Sequence, residues 1–227
     1  MEKKKTLRQI QAEASRTKLQ HIVQEMSESL TLDQIRIRDV CEKAGMSLGN
    51  FYQYFPSKER ALLYSYKTKD DEWQSLGLES IADPLERLIR ILGTHLYSMT
   101  EHSLCFDTQL YISQLKEYDS YFFSPDRFLQ RATRCAIEQL QEAGLMKKSL
   151  EADEIARRIL NYSRGMVFSY CIGHTESHAQ WLKYASQCLC EFLTLYLTPD
   201  GIRQMARLPG GAWNGVRTPV KEEPPKP

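Results

Sequence analysis

Apolar residues recur along most of the chain three or four positions apart, which is the spacing of an α-helix. Between residues 19 and 30 these positions form a single stripe, and the stripe predicts a first helix over about residues 13–29. Further helices are predicted over about 37–44, 48–54, from 58, from 84, 105–118, 125–143, 152–171 and 178–197. No segment shows the alternation of a strand, so the pattern indicates an all-α fold.

Single residues with strong conformational preferences mark the predicted helix ends. Gly45 suits the left-handed position that ends the helix over 37–44, and Ser47 suits the N-cap of the next one. Pro56 ends that second short helix, and Ser57 caps the following one. Near the other end of the chain, Pro199 is expected to close the last helix.

The segment GMSLGNFYQYF contains four aromatic rings within five positions. On a helix starting after the serine, Phe51 and Phe55 share a face with Leu48, and we expect this face to enter a core. Tyr52 and Tyr54 lie off that face, so their hydroxyl groups can point outwards as donors to phosphate. The competing interpretation is a buried helical hairpin whose tyrosines cover a neighbouring helix.

Two short helices joined by a tight glycine turn are typical of a helix-turn-helix unit, whose second helix enters the major groove of DNA. Gly49 would let that helix approach the DNA closely. Asn50 and Gln53 are side chains that read base edges, with adenine as the best geometric match. The segment therefore predicts a recognition surface on the second short helix.

Composition narrows the classes of function. The 227 residues carry a net charge of +1, so any affinity for nucleic acid must come from a local patch. The first residues hold such an excess of basic side chains, either as a binding arm or as a frayed end: Lys3, Lys4, Lys5, Arg8, Arg16 and Lys18. No apolar run is long enough for a membrane helix, and six cysteines without a CxxC pair favour reduced thiols. We expect a cytoplasmic protein.

No motif in the sequence predicts an enzyme. Nucleophile-elbow, Walker, dinucleotide-binding and HExxH patterns are missing, so we expect neither catalysis nor a cofactor. His174 and His178 have a spacing that binds metal on a helix, with Glu176 between them. Because Gly173 indicates a turn there, a solvated turn is the better interpretation, and we predict no metal site.

The run IRIRDVCEKAGMSLGNFYQYFPSKERALL resembles the DNA-binding segment of the TetR family of transcriptional regulators. The resemblance covers about Thr17 to Tyr66 and rests on these matching residues: Asp39, Ala44, Gly45, Ser47, Gly49, Tyr52, Tyr54, Phe55, Ser57, Lys58, Glu59, Leu62 and Leu63. It implies a recognition helix that approaches DNA through Ser47, Leu48, Gly49, Asn50 and Tyr52. It also implies phosphate contacts from Tyr54 and Lys58, with Arg36 or Arg38 as further candidates.

The sequence departs from the family pattern at three positions. Arg36 stands where a threonine often caps the preceding helix, which puts that cap in doubt. Asn50 and Phe51 replace the common threonine and leucine, which suggests an unusual operator.

The resemblance implies a homodimer on a pseudo-palindromic operator, with half-sites about 34–36 Å apart. The last two long helices would form the dimer interface, and the candidates are Ile159, Ser163, Met166, Trp181, Cys188, Phe192 and Leu195. The middle helices would enclose a small-molecule pocket, and its candidates are Trp73, Leu92, His95, Leu96, Met99, Phe106, Gln109, Leu110, Phe128, Arg164 and Phe168. The alternatives are that the aromatic pocket candidates are plain core and that both helical stripes are buried within one subunit.

We therefore expect three parts: a DNA-binding domain with a basic arm over residues 1–56, a regulatory and dimerisation domain over 57–200, and a disordered tail over 201–227. The expected function is that of a homodimeric repressor which a small apolar ligand releases from double-stranded DNA. Two alternatives stay open: an activator or a DNA-binding regulator controlled by a protein partner, and a helical scaffold that binds protein.

Overall fold

The computed structural model describes residues 6–98, 101–173 and 177–208. The basic residues Lys3 to Lys5 lie outside these ranges, as does the part of the predicted tail from residue 209 onwards. The described residues form these α-helices: α1 Leu7–Ser27, α2 Ile37–Ala44, α3 Leu48–Tyr54, α4 Lys58–Leu63, α5 Ser65–Ser75, α6 Pro84–Tyr97, α7 Leu104–Glu117, α8 Phe128–Glu142, α9 Ala152–Gly173, α10 His178–Thr194 and α11 Pro199–Arg207. Within these ranges there is no β-strand, which confirms the all-α prediction.

Local capping determines most of the helix starts. The N-caps Ser47 and Ser57 accept backbone hydrogen bonds from Asn50 and Arg60, at 3.2 Å and 3.0 Å, as the sequence predicts. α1 begins six residues before the predicted position because Thr6 and Gln9 form a reciprocal capping box. The doubt about the start of α2 was justified, since Arg36 makes no side-chain capping bond there.

The N-terminal unit consists of residues up to Lys69 together with His102–Phe122. Its core is formed where α1, α2, α3, α4 and α7 meet, and its buried side chains are Leu19, Ile22, Val23, Leu32, Ile35, Val40, Cys41, Ala44, Phe51, Phe55, Ala61, Leu62 and Phe106. The unit thus includes α4 and α7, two helices that lie beyond residue 56. The functional boundary expected at residue 56 stays a prediction.

α7 is attached to the rest of the N-terminal unit along its whole length. At its start, Glu28 accepts a hydrogen bond from the backbone N–H of Ser103, at 2.6 Å. In its middle, the Gln109 side chain accepts from the backbone N–H of Leu32, at 3.0 Å. At its end, Arg60 of α4 donates to the carbonyl oxygen of Glu117, at 2.9 Å. These bonds make α7 a structural part of the unit that contains α3.

The C-terminal unit consists of Asp70–Glu101 and the residues from Phe123 onwards, and α6, α8, α9, α10 and α11 form its packed body. α6 packs against α8, α9, α10 and α11, and it contributes a continuous row of buried aliphatic side chains. A buried ion pair joins Asp70 to the start of α8, where Arg127 donates to both carboxylate oxygens at 2.9 Å and 3.0 Å. Both side chains are 4% exposed.

α11 corrects the predicted C-terminal part of the chain. Pro199 does not close the last helix into a disordered tail from residue 201; it is the first residue of α11, with Thr198 as the N-cap. Proline at the first helical position is compatible with a helix start because that position needs no N–H donor. α11 packs on α6, and Gln204 donates to Asp83, the N-cap of α6, at 2.7 Å.

None of the helices in the described ranges has the length and apolar character needed to cross a bilayer. The six cysteines all lie within these ranges and are free thiols, with Cys41 and Cys171 buried and the others half-buried.

Gly201 should tolerate no side chain. An added Cβ would lie 2.1 Å from the carbonyl oxygen of Leu145 and 3.1 Å from Leu197. We expect Gly201→Ala to destabilise the protein by about 1–3 kcal/mol, measured by urea unfolding, because α11 must shift. Gly165→Ala is the matched control, since its Cβ meets nothing within 4 Å. That variant should be unchanged or more stable by about 0.5–1 kcal/mol. Equal effects of the two changes would contradict the packing of α11.

Removing one partner of the Asp70–Arg127 pair should be costly. Asp70→Asn leaves a guanidinium buried beside a neutral amide, and we expect a loss of about 3–5 kcal/mol in the free energy of unfolding. The control is Glu138→Gln in the exposed Arg134–Glu138 pair of α8, whose loss should be within about 1 kcal/mol. A similar result for both variants would show that the buried pair is not maintained in solution.

Candidate nucleic-acid interface

The turn between α2 and α3 is fixed by a glycine in the left-handed conformation. Gly45 has φ +64°, and its N–H donates to the carbonyl oxygen of Glu42 at 3.0 Å. Met46 N–H donates back to Cys41 at 2.9 Å, which ends α2 sharply. The predicted role of Gly45 is confirmed, and the turn gives α2 and α3 the arrangement of a helix-turn-helix unit.

Two aromatic rings anchor α3 in the core, as predicted. Phe51 is fully buried and Phe55 is 4% exposed, and their ring centroids lie 6.1 Å apart. Leu48 was expected on the same buried face, but this expectation was wrong because its side chain is 39% exposed. The spacing gave the direction of Leu48 correctly. It could not show that the core does not extend to the first turn of this seven-residue helix, where Leu48 lies.

The opposite face of α3 is exposed and polar or aromatic. Tyr52 is 52% exposed, and its ring meets that of Phe51 edge to face at 5.7 Å between centroids. The other exposed residues of α3 and its N-cap are Ser47, Leu48, Gly49, Asn50 and Gln53, of which Leu48 lies on the side of Phe51 and Phe55. Tyr54 is half-buried and packs against the core, so only part of its ring faces outwards. The exposed candidates for base and backbone contacts thus lie together on one short helix and its N-cap.

Ser47 positions the Asn50 side chain. The Ser47 hydroxyl accepts the backbone N–H of Asn50 and donates to its amide oxygen Oδ1, at 3.1 Å. With that oxygen engaged, the amide presents its NH₂ group to the outside. The amide oxygen has a second lone pair, so Asn50 can still offer both its NH₂ group and its oxygen to a base edge.

The basic candidates beside α3 differ in what they can offer. Arg36 and Arg38 are exposed at the start of α2. Lys58 is half-buried, and its ammonium group donates to the carbonyl oxygen of Ile35 at 3.1 Å. An ammonium group has three donors, so this bond leaves capacity for an anion. Sequence reasoning missed this bond because nothing in the local pattern relates Lys58 to Ile35.

The predicted pocket residues divide between the two units. Trp73, Leu92, Leu96, Phe128 and Arg164 are buried in the C-terminal unit. Three others belong to the N-terminal unit, where they pack with α1 and α4: Phe106, Gln109 and Leu110. A helical stripe does not tell which body the helix joins, and the role of these three residues in a pocket stays a prediction.

The remaining pocket candidates are His95, Phe168 and Met99. His95 Nδ1 is hydrogen-bonded to the Ser163 hydroxyl oxygen at 2.9 Å, as donor or acceptor according to its tautomer. The His95 ring meets the Trp73 ring edge to face. Burial lowers the pKa of His95 to about 3, and Arg164 and Arg127 contribute in the same direction. Its side chain is half-buried. Phe168 is 40% exposed, and Met99 lies outside the described residues.

The predicted dimer residues also fall into groups. Ile159, Ser163 and Trp181 are buried within this chain, which corrects their assignment because they have no surface to offer a partner. Met166, Cys188 and Phe192 are half-buried, and Leu195 is 60% exposed. Exposed large side chains that the sequence did not single out for this role are Phe168, Ile172 and Tyr184. The residue His174, considered above as a metal ligand, lies outside the described residues.

No family model and no curated protein matches the chain. Solved structures do match in fold. A protein from Saccharomonospora viridis, described as a transcriptional regulator and solved in complex with choline, has a TM-score of 0.62 at 20% identity, covering 82% of this chain and 99% of its own. A protein from Mesorhizobium loti, described as a TetR-family transcriptional regulator, has a TM-score of 0.60 at 17% identity, covering 82% and 98%.

A third match is FadR from Thermus thermophilus, a TetR-family transcriptional repressor in complex with lauroyl-CoA. Its TM-score is 0.59 at 15% identity, covering 78% of this chain and 93% of its own. These likenesses extend well beyond the helix-turn-helix unit. The chain has the fold of the TetR family of transcriptional regulators.

Proposed function

We propose that the protein is a sequence-specific DNA-binding regulator of transcription, acting as a homodimeric repressor that a small ligand releases from its operator. The observation that carries this proposal is the division of α3 into two faces. Phe51 and Phe55 hold one face in the core, while the other presents Asn50, Tyr52 and Gln53 to solvent. A helix that follows a tight turn and exposes such side chains has the geometry for reading a major groove.

Gly49 supports an external partner at this face. An added Cβ would meet only the Ser47 hydroxyl, at 3.8 Å, so the fold of this chain does not require glycine here. Glycine also weakens a helix relative to alanine by about 0.5–1 kcal/mol. A residue that is unfavourable for α3 and unnecessary for its packing is best explained by the close approach of another molecule, and DNA backbone fits that role.

Each exposed side chain then has a specific part. Asn50 offers its NH₂ group and its amide oxygen to a base edge, and Leu48 contacts thymine methyl groups. Tyr52 places its hydroxyl on a phosphate while its ring rests on Phe51. Arg36, Arg38 and Lys58 add positive charge on either side of α3, which favours the backbone without specifying sequence.

An apolar surface on α9 and α10 supports dimerisation. Gly165, Phe168 and Ile172 follow one exposed stripe of α9, at the i, i+3 and i+7 positions. Tyr184 is exposed on α10, and Leu195 is exposed at the C-cap of the same helix. The two helices pack together, with Tyr162 and Phe192 stacked at 4.2 Å between ring centroids. Large apolar side chains grouped on the surface typically mark a protein contact, and a two-fold dimer would cover them.

The C-terminal unit would contain the effector site. The neutral His95 ring, hydrogen-bonded to Ser163 beside Trp73, provides an enclosed polar group among apolar walls. This combination suits a mainly apolar ligand with one polar group. The structural neighbours with bound choline and lauroyl-CoA give the proposal further support. The ligand acts by binding the DNA-free arrangement more tightly, and DNA must weaken ligand binding by the same factor.

The first test concerns Tyr52. Operators are selected from random duplex DNA with the full chain, and affinity is measured by fluorescence anisotropy at several salt concentrations. Tyr52→Ala should weaken operator binding by at least about tenfold, since it removes a phosphate contact and ring packing. Tyr52→Phe, which removes only the hydroxyl, should have a smaller effect.

Leu115→Ala on α7, also exposed, is the control and should bind as the wild type does. Unchanged affinity of Tyr52→Ala, with an unchanged thermal unfolding curve, would refute the assigned orientation of α3. If no duplex is enriched and affinity does not fall with salt, the protein-binding scaffold becomes the better proposal.

The second test concerns the dimer. Gly165→Glu places a charge on the exposed apolar stripe without a clash inside the chain. We expect sedimentation to show the 26.4 kDa mass of a single chain for this variant, and twice that mass for the wild type. Gly165→Ala is the matched control and should remain dimeric. A dimeric Gly165→Glu protein would place the interface elsewhere.

A further inference from the structure

A carboxylate attaches the start of α7 to the end of α1. Glu28, the C-cap of α1, accepts from His102 Nδ1 at 2.8 Å with one oxygen. Its other oxygen accepts from the backbone N–H of Ser103, the N-cap of α7, at 2.6 Å. The negatively charged Glu28 side chain therefore joins the two helices through both of its carboxylate oxygens.

A second carboxyl group lies one helical turn further along α7. Asp107 is four residues after Ser103, so it lies one turn along α7 from the N-cap that Glu28 contacts. The residue is 3% exposed, and its Oδ2 atom has no hydrogen-bond partner in the described residues. Burial raises the pKa of Asp107 to about 8; the charge of Glu28 adds to this effect and Lys69 opposes it.

The junction continues into α1 and α5 through a chain of polar contacts. His102 Nε2 lies 3.3 Å from Gln24 Nε2, and the oxygen of Gln24 accepts from Gln20 at 2.7 Å. Gln20 also donates to Ser65, the first residue of α5, at 2.7 Å. Through these contacts Glu28 is linked to α1, α5 and α7. The N-terminal unit, to which these contacts belong, also contains α3.

We propose that Asp107 is a proton-dependent switch: its ionisation places a second carboxylate beside Glu28, loosens the α1–α7 junction and weakens the hold of the N-terminal unit on DNA. Among the described residues, Glu28 at the end of α1 and Lys69 on α5 act electrostatically on Asp107, and His102 before α7 is bonded to Glu28. Lys69 opposes the new charge, and Glu28 adds to its cost. The proposal adds sensitivity to alkaline pH to the proposed function, and its DNA readout rests on that function.

The direction of the effect on stability follows from linkage. The folded chain holds the Asp107 proton up to about pH 8, whereas an unfolded chain releases it near pH 4. The contribution of protonated Asp107 to the free energy of unfolding is therefore fully present below about pH 4. It is lost as the pH rises through about 8. Asp107→Asn keeps the shape and cannot ionise, so it should remove this part of the pH dependence.

The first measurement is thermal unfolding of the full chain between pH 6 and pH 9. The Tm of the wild type should fall by about 5–10 °C more than that of Asp107→Asn over this interval. Glu142→Gln, an exposed change on α8 that removes the same charge, should follow the wild type. Parallel curves for the wild type and Asp107→Asn would overturn the proposal.

The second measurement is affinity for a selected operator at constant ionic strength. Between pH 7 and pH 9 the wild-type Kd should rise about tenfold, and that of Asp107→Asn by less than about twofold. A tenfold rise corresponds to a difference of about one pKa unit between the DNA-bound and free proteins. Equal rises in both proteins would contradict the switch. Absence of operator binding at every pH would instead contradict the proposed function, and the unfolding curves would still decide the role of Asp107.

A third variant covers the case in which Asp107→Asn does not fold. Glu28→Gln removes the facing charge and leaves Asp107 in place. Its stability loss should occur at lower pH than in the wild type, because the charge of Glu28 contributes to the raised pKa of Asp107. A transition at the same or higher pH would overturn the proposal.

Discussion

The burial of Phe51 and Phe55 is the constraint on which the candidate interface depends. α3 has seven residues, too few to be stable alone, so its position comes from packing. Two rings on one side, held among Leu19, Val40 and Ala44, fix its rotation about its own axis. That rotation decides which residues point outwards. The exposed set Asn50, Tyr52 and Gln53 is thus a consequence of the buried pair.

α7 extends this constraint beyond the helix-turn-helix segment. It contributes Phe106 to the same core and is bonded to α1 at its start and to α4 at its end. At that end, Arg60 donates to the carbonyl oxygens of Glu117 and Tyr118, and Tyr118 has the unusual φ of +42°. Backbone strain of this kind persists only where the surroundings enforce it. The chain passes between the two units at three junctions, Lys69–Asp70, Glu101–His102 and Phe122–Phe123, and the last two of these flank α7.

Features that neighbouring residues determine could be predicted from the sequence, whereas features that depend on distant parts of the chain could not. The bounds of α2 and α3 were predicted correctly because Gly45, Ser47 and Pro56 act locally. The exposure of Leu48 was not, since it depends on where the core ends. The place of Phe106 and Gln109 in the N-terminal unit was not foreseen either, because periodicity does not identify the partner of a helix. For the same reason, Ile159 of α9 and Trp181 of α10 were assigned to a dimer interface, although both side chains are buried within this chain.

Asp83 links the end of the chain to the middle of the fold. One of its oxygens caps α6 by accepting the N–H groups of Leu85 and Glu86, at 2.8 Å and 3.0 Å, and the other accepts from Gln204 of α11. Proteolysis or a truncation at Pro199 would remove a partner of this carboxylate and uncover α6. Because His95 lies on α6, removal of the C-terminal residues would also disturb the proposed effector site. A fragment for crystallography or ligand screening should therefore extend past Leu208.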